Sequence, residues 1–104
     1  MKIVTRKLVT IVTESALEQK LKREIERLGA KGYTIVNARG SGHQGSRDGN
    51  WGEASTNIRI EIVCSDAVAL AIAEHCDQRY AEDFAMIVYL SDVQVAGDHD
   101  QGED

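Results

Sequence analysis

Hydrophobic and polar positions alternate along this chain in two different periods. Lys7–Thr13, KLVTIVT, is dense in β-branched residues and predicts a strand. Leu17, Leu21, Ile25 and Leu28 then recur at helical spacing and draw one apolar stripe. Ser15 and Glu18 have the spacing of a capping box, Thr13 is an alternative N-cap, and Gly29 suits the C-terminal end. Tyr33–Arg39 predicts a second strand. Asn57–Cys64 predicts a third, with Ile58, Ile60 and Ile62 on one face and Arg59 and Glu61 on the other. Ser65 can cap a second helix, DAVALAIAEHCDQRY, apolar around Val68, Leu70 and Ile72. Phe84–Val95 predicts the last strand.

The order is therefore β-α-β-β-α-β. It predicts an α+β, ferredoxin-like domain: a four-stranded antiparallel sheet with two helices on one face. Residues 1–97 are expected to form this domain. Residues 98–104, acidic and glycine-containing, are expected to be a disordered tail.

The strand patterns carry a further consequence. In the last strand Phe84, Met86, Val88 and Leu90 point one way, and Ala85, Ile87 and Tyr89 the other. In the first, Leu8 and Val12 oppose Val9 and Ile11. Both sheet faces are thus partly apolar, yet two helices cover only one. An exposed apolar face usually marks an interface, so an obligate oligomer with inward-facing sheets is expected. The alternative is a face half-covered by the chain's own side chains.

Between the second and third strands lies GSGHQGSRDGNWG, residues 40–52. Gly40, Gly42 and Gly45 have the spacing of a dinucleotide-binding turn, but that turn must open into a helix, and here a strand follows. A P-loop needs Lys-Ser or Lys-Thr after its last glycine, whereas Ser46 and Arg47 stand there. A phosphate can still be held another way. Glycines let successive backbone N–H groups converge on an anion, and Arg39 and Arg47 bracket the loop with guanidinium groups. The competing reading is a solvated loop that binds nothing.

Composition narrows the functions. The chain has 104 residues and a net charge of −5, with few aromatics, which argues against nucleic acid or an anionic membrane surface as partner. Cys64 and Cys76 form no CxxC pair, so a reduced, cytoplasmic setting is expected. No apolar run is long enough to span a membrane. No Ser-His-Asp set, HExxH or cysteine with a local base stands out, so no catalytic residue and no metal site is assigned.

Five stretches, KLVTIVTE, GAKGYTIVNARGSG, GSR, NIRIEIV and FAMIVYLSDVQVAG, together resemble the PII signalling proteins over most of residues 7–97. The resemblance is closest to the PII-like branch linked to carboxysomes and bicarbonate transport. It implies a homotrimer whose sheets pack around a three-fold axis. It implies adenine nucleotide (ADP or AMP, with ATP possible) and bicarbonate as ligands in clefts between subunits, with no further cofactor. It also implies that the loop at about 40–56, the T-loop, is ordered by ligand and read by a protein partner in bicarbonate transport or carboxysome function.

Carried onto this chain, Gly40, Ser41, Gly42, Gly45, Ser46 and Arg47 match the segment that wraps phosphate, with Ser46 and Arg47 also beside bicarbonate. Ile35, Val36 and Ala38 would border the adenine, and Tyr89 and Leu90 would come from the neighbouring subunit. Ser41 stands where transporter-regulating relatives carry lysine, the uridylylation tyrosine of nitrogen sensors is not recognisable, and AGDHDQGED has no cysteine for a redox tail.

Other residues have plainer readings. His43 is a solvated loop histidine or a group titrating near the anion. Trp51 is a partner anchor or packs on its own loop. Cys64 and Cys76 pack as small apolar residues. Asp98, His99 and Asp100 are solvated rather than metal-binding. Arg59 and Glu61 form a cross-strand charge pair or line a trimer channel. An enzyme built on the same fold, hydrolysing nucleotides slowly at the phosphate-holding loop, is the alternative function.

Overall fold

The computed structural model describes residues 1–40 and 56–97. Most of the glycine-rich loop, including Ser41, Gly42, Gly45, Ser46 and Arg47, and the acidic tail lie outside the described residues. The chain folds as β1 (Ile3–Glu14), a 3₁₀ turn (Ser15–Leu17), α1 (Glu18–Arg27), β2 (Thr34–Ala38), β3 (Asn57–Cys64), α2 (Asp66–Tyr80) and β4 (Met86–Ala96). The four strands form one antiparallel sheet in the order β2-β3-β1-β4. This is the ferredoxin-like β-α-β-β-α-β arrangement that the periodicities predict.

The register aligns every core-facing position. Val9, Ile11 and Thr13 of β1 stand opposite Ile62, Ile60 and Ile58 of β3, and opposite Leu90, Val88 and Met86 of β4. Against this face pack Leu21 and Ile25 from α1 and Ala69, Ile72, Cys76 and Tyr80 from α2. Each large aliphatic side chain contributes about 1.5–3 kcal/mol through burial, so this layer dominates stability.

The helix ends differ in how they are made. Ser65 caps α2: its Oγ accepts the Val68 N–H at 3.2 Å. The capping box at Ser15 does not form. Ser15 Oγ is hydrogen-bonded to Thr56 Oγ1 instead, and Thr13 Oγ1 donates to the Ala85 carbonyl at 2.8 Å. Both hydroxyls are drawn away by tertiary partners, and the chain enters α1 through a 3₁₀ turn. Gly29 ends α1 with φ of +119°, and a Cβ there would lie 2.9 Å from Val68 Cγ2. Glycine is therefore required twice over, by backbone conformation and by space.

Three further departures concern β1, α2 and β3. β1 begins at Ile3, because Ile3–Arg6 pairs with Val93–Ala96 in a ribbon that outruns β3. Leu70, counted among the apolar positions of α2, points to solvent at 60% exposure, while Ala69 and Ile72 face the sheet. Arg59 and Glu61 pair along β3, two residues apart at 3.2 Å, rather than across strands.

Candidate functional site

The face away from the helices carries mixed rungs. Val36, Arg59, Val12 and Ile87 form one row across the sheet, and Thr34, Glu61, Thr10 and Tyr89 the next. Val36 and Ile87 are each 38% exposed and Tyr89 50%. These side chains keep apolar surface in water, as the double alternation predicts.

The foot of the loop is built from several strand ends. Ala38, last in β2, pairs with Asn57, first in β3, which in turn pairs with Glu14 of β1. Both ends of the intervening segment are thus held on adjacent strands. The Ser15 N–H donates to the Thr56 carbonyl at 3.0 Å, and Glu14 Oε2 accepts the Ala85 N–H at 3.1 Å. These bonds join the β1–α1 turn and the start of β4 to the same platform. Asn57 is 3% exposed, and its Oδ1 has no hydrogen-bond partner among the described residues. Such an acceptor is costly to leave unmet. From sequence Asn57 is only a strand start, since nothing in its alternation separates it from a surface position.

The residues singled out from sequence divide between the two faces. Val36, Ala38 and Tyr89 lie on the open face, while Ile35 and Leu90 are half-buried against the core. Gly40 is exposed, and a Cβ added to it would meet nothing within 4 Å. Val36 and Tyr89 sit on the two edge strands, about 16 Å apart by three strand spacings and a two-residue step along the strand. One chain does not bring them together.

A second polar centre, between the helices, is one that the sequence reading misses. Glu24 of α1 is 5% exposed; its Oε1 accepts the Tyr80 hydroxyl at 2.6 Å and lies 2.8 Å from His75 Nε2. Burial alone would raise the Glu24 carboxyl, but the hydrogen bonds from Tyr80 and His75 prevail and hold it below its ordinary range. Burial, then the bond to Glu24, push the Tyr80 phenol up. Burial also pushes the neighbouring Cys76 thiol up to about 12, an inert thiol. The available signal is Glu24 itself, a charge set within the stripe of Leu21, Ile25 and Leu28. Among the described residues no cluster of histidine, cysteine and carboxylates suits a metal, and no helix is long and apolar enough to cross a membrane.

Comparison with known proteins places this geometry. A PII-like signalling protein from Thermus thermophilus is similar at 47% identity, covering 91% of this chain and 93% of that one, with a TM-score of 0.77. CPII from Thiomonas intermedia K12, bound to ADP, AMP and acetate, is similar at 26% identity over 93% and 94% of the two chains, with a TM-score of 0.77. The same protein bound to ADP and bicarbonate is similar at 28% identity over 90% and 91%, with a TM-score of 0.73. The family model for nitrogen regulatory protein P-II matches residues 6–99, and the chain belongs to that family.

Proposed function

We propose that this protein is a cytoplasmic ligand sensor: a homotrimer that binds adenine nucleotide and bicarbonate in clefts between subunits. The observation that carries this is the likeness, over nine-tenths of both chains, to CPII bound to ADP and bicarbonate. The open sheet face supports it. Val36 and Ala38 on one edge and Tyr89 on the other can line a common cleft only when two copies meet. Packing sheet against sheet would also remove Val12, Val36 and Ile87 from water.

In this reading Gly40, Ser41, Gly42, Gly45, Ser46 and Arg47 wrap the phosphates, and Ser46 and Arg47 also face bicarbonate. Ile35, Val36 and Ala38 support the adenine side, with Tyr89 and Leu90 from the neighbouring copy. Ligand contacts exist only in one loop arrangement, so binding shifts the loop population toward it. A partner acting in inorganic-carbon metabolism then reads the loop. Ala38 and Asn57, paired on adjacent strands, support a change confined to the loop between them.

Calorimetry with ADP, AMP and ATP, each with and without bicarbonate, tests the proposal. Binding of ADP or AMP, strengthened by bicarbonate, is expected. Arg47→Ala removes charge-assisted bonds of about 1.5–3 kcal/mol and should weaken binding about 10- to 100-fold. Absence of heat with every nucleotide at millimolar concentration would sink the reading. Steady phosphate release from ATP that Arg47→Ala abolishes would instead favour the phosphohydrolase.

A further inference from the structure

The first half of α2 is apolar on both of its sides. Ala69 and Ile72 face the sheet, while Ala67, Leu70 and Ala71 lie outward, with Leu70 60% exposed. A helical segment without a polar face is expected where both sides are covered. α1 is the opposite case, with Leu21 and Ile25 inward and Lys20, Arg23 and Arg27 exposed. The two helices are neighbours, joined by the Glu24–Tyr80 and Glu24–His75 bonds.

Their charges are opposite. Around α1, Lys20, Lys22, Arg23, Arg27 and Lys31 outweigh Glu18 and Glu26, because Glu24 is buried. Around α2, Asp66, Glu74, Asp77 and Glu82 outweigh Arg79. The helix layer therefore has a basic half beside an acidic half, and the exposed Leu70 lies on the acidic one. The strand directions also make α1 and α2 antiparallel, since each helix returns from a strand and β1 and β3 run oppositely.

We propose that this layer docks onto the same layer of a second copy. A two-fold axis along the helices sets the basic α1 of each copy over the acidic α2 of the other. Every charge contact is then made twice, the facing helices are antiparallel, and the long arginine stems of α1 cover Leu70. The fifteen residues of α2 span about 22 Å, so a two-helix patch is small beside standard interfaces. The pairing is accordingly reversible and concentration-dependent. It uses the face opposite the open sheet, so it stands or falls independently of the nucleotide clefts.

Sedimentation of the full chain from micromolar to submillimolar concentration is the test. The native protein should gain mass with concentration, doubling at the first pairing step and rising further where each subunit of a trimer offers its own layer, while Leu70→Glu, whose exposed site leaves folding intact, should keep one mass. Raising salt from about 0.1 M to about 1 M shortens the screening length from about 10 Å to about 3 Å and should weaken pairing about tenfold. Arg23→Glu with Arg27→Glu should abolish pairing, as should Glu74→Arg with Asp77→Arg. Mixed together, these two variants should pair with each other. Equal masses for native protein and Leu70→Glu at every concentration, or charge-reversed variants that still self-pair, overturn the proposal.

Discussion

Replacing Tyr80 by phenylalanine isolates the polar centre between the helices. The ring stays, so its burial and its edge-on contact with Phe84, at 5.7 Å between centroids, are retained. What disappears is one hydroxyl donating at 2.6 Å to a carboxylate that is 5% exposed. A hydrogen bond to a charged group is worth about 1.5–3 kcal/mol, and the partner left behind here is a buried anion. Glu24 keeps His75, so the loss should fall within that range rather than above it. The pH dependence follows from the direction of the Glu24 shift. Its folded-state carboxyl is held below the ordinary 4.5, so its contribution is complete above that value. The contribution is lost as pH falls through the lower, folded value. Tyr80→Phe relaxes the shift and should flatten the decline between neutral and acidic pH. Urea unfolding from pH 7 down to pH 3, at one fixed chain concentration, measures both effects. A cost below about 0.5 kcal/mol at pH 7, with an unchanged acid slope, would refute an energetically coupled centre.

Two further outcomes follow from the packing. Gly29→Ala forces a Cβ onto φ of +119° and to 2.9 Å from Val68 Cγ2. It should cost about 1–3 kcal/mol or more by denaturant unfolding, and Val68→Ala in the same chain should recover only the steric part. Cys76, with its thiol pushed up to about 12, should resist iodoacetamide at pH 8 in folded protein and label on unfolding, read by intact mass. Rapid labelling of the folded chain would show that the site opens readily.

The loop shows where motif reading and topology part. Gly40, Gly42 and Gly45 match a nucleotide fingerprint by spacing alone. The antiparallel pairing of β2 with β3 bears on that fingerprint, because among the described residues the element after β2 is an antiparallel strand of the same sheet and not a helix. Alternation within each strand was legible, but where the candidate residues lie relative to one another was not. A period of two sets Val36 with Ala38 and Tyr89 with Ile87 within their own strands, whereas the face the two pairs share and their separation by β3 and β1 are matters of register and strand order.

Local pattern thus determined the elements and the alternation of sides within each strand, though not the outward side that Leu70 takes on α2. Periods of 2 and 3.6 are properties of a short backbone segment, and β-branched runs, Gly29 and Ser65 mark their limits within it. Tertiary structure decided the rest. It fixed which strands adjoin, extended β1 back to Ile3 by giving it β4 as a partner, and diverted Ser15 from its helix to Thr56. It also set Glu24 between Tyr80 and His75, turning a charge in an apolar stripe into a buried anchor. Those outcomes depend on contacts between residues far apart in the chain, whose energies no local window contains.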